Sequence, residues 1–232
     1  MRVALLDGYN LMHRARFGMM DGDYNIVFNF FRSLRPIIAE IKPDLVYLVL
    51  EGMPKHRLEL DSAYKANRII EPGTQQASDM EEFRKQKKII IGALSLFPIT
   101  LARHPDVECD DAIASLCTEV HVDDECVIVS TDTDFIQLLR PNKNVKLYNP
   151  VKKEYIEGPD YDYALWKALR GDKTDNVTRV GNITDKKAEK IVNNPALLES
   201  IQHDPELGPQ LKRNIDLIRF KAGIRDLSLI HI

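Results

Sequence analysis

Cysteine is scarce in this 232-residue sequence: Cys109, Cys117 and Cys126 are the only three, and none forms a C-x-x-C pair. An odd, scattered set argues against a disulfide framework or a thiolate zinc site and fits a reducing compartment. None of the six histidines stands in an H-x-x-x-H pair. A bound metal would therefore rest on oxygen ligands, which favours hard ions such as Mg2+ or Mn2+. No apolar run approaches the roughly 20 residues a membrane span needs. The opening MRVALLDGYN lacks the basic-then-apolar order of a secretory signal and reads as a strand. A cytoplasmic location is the expectation. Excess positive charge is missing too, with 32 Lys and Arg against 35 Asp and Glu, a formal net charge of −3. That balance discourages a nucleic-acid reading until its distribution is seen. Basic residues crowd 55–68, 84–88, 186–190 and 212–225, while several acids occur as tight pairs between apolar segments.

A 44% hydrophobic content is enough to fill a core. Arg2–Asp7, Leu45–Leu50 and Cys126–Ser130 are short continuous apolar runs, as expected of strands in a parallel sheet covered on both faces. Val27, Phe30, Phe31, Leu34, Ile37, Ile38 and Ile41 recur at helical spacing over Asn25–Ile41, which Pro43 closes. Ser78-Asp79-Met80-Glu81 has the form of a capping box. It would open a helix that carries Met80, Phe83, Ile90, Leu94 and Phe97. Thr100–Ala102 predicts a short strand, Asp110–Val120 a helix, and Asp134 the start of another. Lys146–Tyr148 and Glu154–Ile156 predict a short edge pair. Beyond Pro159 only helices are expected, near 161–169, 185–192 and 209–220. Strands alternating with helices imply an α/β fold with a mainly parallel, doubly wound central sheet flanked by helices. The expected organisation is a core over 1–158 and a small helical subdomain over 159–232. Residues 226–232 read as an apolar tail without a helical stripe.

The informative residues are carboxylates. Asp7 ends the first strand, Glu51 the second, and Asp132 and Asp134 follow the third. In an open parallel sheet the carboxyl ends of the strands face one crevice, where ligands bind. Glu108, Asp110 and Asp111 open a helix. Asp172 and Asp175, three apart, would point the same way on a helical turn. Acids at helix starts often serve only as caps, which is the plain alternative for Asp111 and Asp132. Asp7 and Glu51 close buried strands, where no capping role is expected. Nine such acids in one crevice would repel one another unless cations neutralise them. Two divalent ions about 4 Å apart would do so and would suit phosphodiester displacement.

Five motifs in order then resemble the flap endonuclease and 5′-3′ exonuclease family, which has a PIN-like nuclease core, in its smaller phage and bacterial form. LLDGYNLMHR (5–14) looks like its first-aspartate motif and YKANR (64–68) like its arch-base motif. VECDD (107–111) is similar to E-A-D-D, STDTDFIQLL (130–139) to S-T-D-x-D, and GDKTDNV (171–177) to G-D-x-x-D-N-I. The resemblance implies a structure-specific 5′ nuclease that hydrolyses DNA at 5′ ends or flaps and leaves a 5′-phosphate. It implies one metal on Asp7, Glu51, Glu108 and Asp110, with Asp111 close by. A second would sit on Asp132, Asp134 and Asp172 or Asp175, with Asp110 or Asp111 between the ions. Lys65 and Arg68 would reach the scissile phosphate. Tyr64 would be a stacking platform for a terminal base, or else a core tyrosine. Residues 53–97 would form a helical arch, with Lys55, His56, Arg57, Arg84, Lys85, Lys87 and Lys88 facing phosphates; the plain alternative for Arg84–Lys88 is the wet side of an amphipathic helix.

Two departures matter. Glu51 stands where the family usually has Asp, which keeps the charge and adds one methylene. The family's Pro- and Gly-rich hairpin, often with a bound K+, is replaced by VTRVGNITDKKAEKIV (177–192). Thr178, Arg179, Asn182 and Thr184 occupy the expected Pro and Gly positions. That argues against the close backbone contact and the K+ site. Arg179, Lys186, Lys187 and Lys190 would then hold duplex phosphates through side chains. A monomer is expected, with DNA as partner and any DNA polymerase on a separate chain. The alternatives are a PIN-type ribonuclease, which needs fewer acids and no arch, and a non-catalytic protein that binds branched DNA, which would have lost acids.

Overall fold

A computed structural model describes residues 1–18, 20, 22–139, 144–221, 223–224 and 227–231. The chain divides into two compact units. Unit 1 comprises Met1–Met53, Ile70–Ile156 and Lys221–Ile232; unit 2 comprises Pro54–Ile69 and Glu157–Phe220.

Unit 1 is built on a seven-stranded sheet of β1 (Arg2–Asp7), β2 (Leu45–Leu50), β3 (Thr100–Arg103), β4 (Glu125–Val129), β5 (Val145–Asn149), β6 (Glu154–Ile156) and β7 (Ser228–His231). The strand order is β6-β5-β4-β1-β2-β3-β7. The five inner strands are parallel and the edge strands β6 and β7 antiparallel, so the expected parallel α/β sheet is present. Its helices are α1 (Gly8–Ala15), α2 (Asn25–Ile41), α4 (Gln75–Ala93) and α5 (Cys109–Ser115); α3 (Lys55–Leu60) belongs to unit 2. The apolar runs of β1, β2 and β4 meet Phe30, Leu34 and Ile37 of α2 and Phe83 and Ile90 of α4 in one core. Tyr24, before α2, offers no side-chain cap. Buried Gln86 of α4 does so instead, its Oε1 accepting from the Ile26 and Val27 amides at 2.9 and 3.2 Å. Two of the helix's orphan donors are thus met from another element.

The helix expected from Ser78 starts earlier. Gly73 turns the chain at φ +80, and the Thr74 hydroxyl accepts from the Ala77 amide at 3.2 Å, so Ser78 and Glu81 lie inside α4. Local chemistry offered two caps, and the one after the glycine turn won. Asp134 falls in a 3-10 turn, Thr133–Leu138. Of the expected tail, residues 226 and 232 lie outside the described residues, and Ser228–His231 is strand β7.

Unit 2 contains α3 (Lys55–Leu60), α6 (Tyr163–Arg170), α7 (Asp185–Val192), α8 (Pro195–Gln202) and α9 (Leu207–Ile218). Leu165, Ala168, Leu169, Val180, Ile183, Ala188, Ile191, Leu211 and Leu217 form its core. The segment 53–97, expected as one arch, is divided: 54–69 packs in unit 2 and α4 in unit 1. The boundary expected near Pro159 falls between Ile156 and Glu157, and residues 221–232 fall with unit 1. Arg57 also departs from expectation. It is 2% exposed and donates to the Leu217 and Arg219 carbonyls at 2.7 and 3.3 Å, where it satisfies the C-terminus of α9 instead of facing phosphates.

Candidate active site

In unit 1 the parallel strands bring their carboxyl ends to one edge. Asp7 closes β1, Glu51 follows β2, Asp132 and Asp134 follow β4, and Glu108, Asp110 and Asp111 stand at the start of α5 after β3. Asp7 is buried, and both its oxygens are engaged. Oδ1 accepts from the Asn10 amide at 3.0 Å and from Cys109 Sγ at 3.7 Å; Oδ2 accepts from Ser130 Oγ at 2.7 Å. Asp7 is therefore the N-cap of α1. The expectation that a strand-end acid would have no capping role is corrected, because β1 runs into α1 without a loop. Burial, with a contribution from Asp132, pushes the Asp7 carboxyl up to about 6, against these hydrogen bonds. A cation beside it would favour the ionised form.

Cys109 marks where several acids meet. Its amide donates to Glu51 Oε2 at 3.3 Å, and its thiol lies 3.3 Å from the Val49 carbonyl. Burial, and then the carboxylates of Asp7, Asp110 and Glu51, push this thiol well above its ordinary value. The fully buried Cys109 thus stays protonated and inert, with three of the expected metal ligands around it. Gly52 makes this approach possible. A Cβ there would lie 2.0 Å from the His104 carbonyl and 2.3 Å from that of Val107, so only glycine lets the chain after Glu51 lie against the segment leading to Glu108.

Glu108 is buried at the N-cap position of α5 and offers no side-chain cap. Asp111 is wholly buried and accepts from the Lys221 amide at 2.8 Å, the part of a backbone anchor. Partly exposed Asp110 is the better placed of that pair. Asp132 caps the turn after β4, its Oδ1 accepting from the Asp134 amide at 2.9 Å.

In unit 2, residues 171–177 form a tight turn closed by a bridge between Asp172 and Val177, not a helical turn. Gly171 opens it at φ +77 and Asn176 takes φ +60. Asp172 is ion-paired with Lys167 at 2.6 Å and accepts from the Thr174 amide at 2.8 Å. Burial would raise its carboxyl, but the Lys167 ammonium and the Thr174 bonds outweigh it and hold the group below its ordinary value. Lys167 was missed by sequence reasoning. Its signal was a lysine among Ala164, Leu165, Ala168 and Leu169 on the buried side of α6. Asp175 accepts from Arg68 at 2.5 Å and from the Tyr64 hydroxyl at 3.1 Å, with Lys65 Nζ at 3.8 Å. Lys65 itself adopts a left-handed backbone, φ +55, a strained state for a non-glycine residue.

Tyr64 is a core tyrosine of unit 2, 5% exposed, so its ring face is closed to a stacked base. On α4, Arg84, Lys85 and Lys88 are exposed. Lys87 is half-buried instead, its Nζ 5.6 Å from the Tyr9 ring centroid, and burial lowers its ordinary value. Arg179, Lys186, Lys187 and Lys190 are exposed along the loop into α7 and the helix itself. Thr184, where the family has a Pro- or Gly-rich turn, caps α7.

A family model described as the 5′-3′ exonuclease N-terminal resolvase-like domain matches residues 2–164. The chain belongs to the 5′-3′ exonuclease family. It is similar to a 5′-3′ exonuclease of Mycobacterium tuberculosis, 28% identical over an alignment of 230 positions that covers 86% of this chain and 72% of that protein. It is also similar to the thermostable DNA polymerase I of Thermus aquaticus, 30% identical over an alignment of 247 positions that covers 100% of this chain and 27% of the relative. The chain spans 28% of the Thermus thermophilus DNA polymerase I that it matches. Among solved structures, bacteriophage T5 5′-exonuclease with bound zinc shares the fold at a TM-score of 0.77 and 21% identity, over 94% of this chain and 90% of that one. Flap endonuclease-1 of Methanococcus jannaschii does so at 0.56 and 16%, over 97% and 80%. The expected PIN-like fold is thus established. Among the described residues, no helix is long and apolar enough to cross a membrane.

Proposed function

We propose that this member of the 5′-3′ exonuclease family is a divalent-metal-dependent nuclease, hydrolysing DNA phosphodiesters at 5′ ends or flaps. The observation that carries the reading is the gathering of Asp7, Glu51 and Asp110 around Cys109, from three separate stretches of chain. A set made only of carboxylates suits hard ions, and buried Asp7 gains from a cation. Asp7, Glu51, Glu108 and Asp110 would hold one ion, and Asp132 and Asp134 are unit 1's candidates for a second. Asp172 and Asp175 keep the candidacy their motif confers. The ions, Mg2+ or Mn2+, would supply Lewis acidity and neutralise charge on the phosphate.

The chain's own residues do the rest. Lys65 and Arg68 would leave Asp175 to pair with non-bridging phosphate oxygens, which stabilises developing negative charge. Arg84, Lys85, Lys87 and Lys88, and separately Arg179, Lys186, Lys187 and Lys190, would follow the DNA backbone without reading its sequence. The DNA polymerase I relatives hold the matching stretch within a longer chain, which supports action beside a polymerase.

The test incubates the protein with a 5′-labelled flap, a nicked duplex and a matching RNA, with Mg2+ or EDTA. Metal-dependent DNA cleavage is expected, together with its loss in Asp132→Ala. Cleavage of RNA alone would replace the reading with a ribonuclease, and absence of any cleavage would sink it. Lys65→Ala should slow cleavage far more than it weakens binding; equal losses would reduce that lysine to simple phosphate attraction.

A further inference from the structure

A chain of hydrogen bonds links the end of β1 to the turn after β4, and three of its members carry no expected ligand role. Ser130 is 1% exposed, and its single hydroxyl serves both sides. It donates to Asp7 Oδ2 at 2.7 Å and accepts from the Asp132 amide at 3.0 Å. Asp132 Oδ1 in turn accepts from the Asp134 amide at 2.9 Å. Asn10, in the first turn of α1, makes a second link. Its amide donates to Asp7 Oδ1 at 3.0 Å, and its side-chain Nδ2 donates to Thr131 Oγ1 at 2.9 Å. Its Oδ1 accepts from the Thr131 amide at 3.2 Å, with Thr131 Oγ1 also at 3.2 Å.

Three carboxylates from two parts of the chain are thus spaced by neutral side chains. Pairing of β1 with β4, Leu6 opposite Val129, fixes the two backbones; the side-chain links hold the carboxylates in place against their mutual repulsion. We propose that Ser130 and the Asn10–Thr131 pair are positioning residues, a polar clamp that sets the distance between Asp7 and the Asp132–Asp134 turn for divalent-ion binding. The inference rests on the metal-dependent reading above. None of the three is charged, so none is a strong ligand itself. Each acts by orienting ligands, the role outer partners play in metal sites, where their loss costs about 10–100-fold in metal affinity.

The test measures Mn2+ binding to the full chain by paramagnetic resonance of the free ion, with DNA cleavage alongside. Ser130→Ala and Thr131→Val should each weaken Mn2+ binding about tenfold or more. The metal concentration for half-maximal cleavage should rise in parallel, with the KM for DNA little changed. Thr131→Ser, which keeps the hydroxyl and the amide, should restore Mn2+ affinity. A folded Ser130→Ala with wild-type Mn2+ affinity would overturn the clamp and leave the nuclease reading standing. Wild-type protein that binds no Mn2+ would overturn both. If Ser130→Ala fails to fold, Thr131→Val against Thr131→Ser decides: equal affinity in those two overturns the clamp.

Discussion

Replacing Lys167 by methionine tests the buried ion pair behind the G-D-x-x-D motif. Lys167 and Asp172 side chains are 5% and 8% exposed, with Nζ and Oδ2 2.6 Å apart. At an effective dielectric of about 20, their attraction is of order 6 kcal/mol. Desolvation of both ions consumes much of it, yet removing one partner strands a buried charge and costs about 3–5 kcal/mol. Asp172 would keep the Thr174 amide, so the lower figure, about 3 kcal/mol, is expected. At about 2–4 °C per kcal/mol for a chain of this size, Tm should fall by about 6–12 °C. Trp166, the single tryptophan, precedes Lys167 on α6 and reports unfolding of this unit by fluorescence in urea.

The pH dependence carries a definite sign. The folded carboxyl of Asp172 lies below its unfolded value, so its stabilisation is present above the unfolded pKa of about 4 and is lost as pH falls through the folded one. The deficit of Lys167→Met should therefore be large near neutral pH and shrink in acid, where Asp172 takes up a proton. Adding Asp172→Asn should recover part of the loss at neutral pH. A Lys167→Met protein within about 0.5 kcal/mol of wild type at neutral pH would refute the reasoning.

Other outcomes follow from single contacts. Gln86→Leu takes the cap from the Val27 amide at the start of α2, while the Ile26 amide keeps Asn25 Oδ1 at 2.8 Å, and should cost about 1 kcal/mol in chemical denaturation; a neutral result would mean water replaces the cap. Gly171→Ala forces a positive φ and puts a Cβ 2.6 Å from the Arg179 amide, so it should destabilise by about 2 kcal/mol or more, and Tm should drop measurably. Tyr64→Phe removes the hydroxyl and its bond to Asp175, at about 1 kcal/mol, and should leave single-strand affinity unchanged. Tyr64→Ala should cost about 3–5 kcal/mol as a core truncation. Weakened single-strand binding by a folded Tyr64→Leu, with Tyr64→Phe unchanged, would reopen the stacking role.

The parallel sheet was legible in the sequence because buried strands must be continuously apolar, and β1, β2 and β4 are. The acids at their ends, Asp7, Glu51, Asp132 and Asp134, were legible for the same reason: a carboxylate closing such a run sits where burial is costly unless a cap or a cation offsets it. Family membership followed from five motifs in order. Tertiary structure decided what depends on distant neighbours. Gln86 caps a helix some sixty residues away, Arg57 closes the end of α9, and Lys167 is buried against Asp172. Nothing near those residues in the sequence announces such partners. Tyr64 shows the limit best: an aromatic beside two basic residues reads equally well as a base platform or as core, and only its burial among Leu165, Leu169 and Leu217 separates the two. Local patterns determine which elements form and which chemistry they carry. Which side chains spend their charge on the fold, and which keep it for a ligand, is settled only when the chain closes, because burial and pairing are properties of the packed molecule.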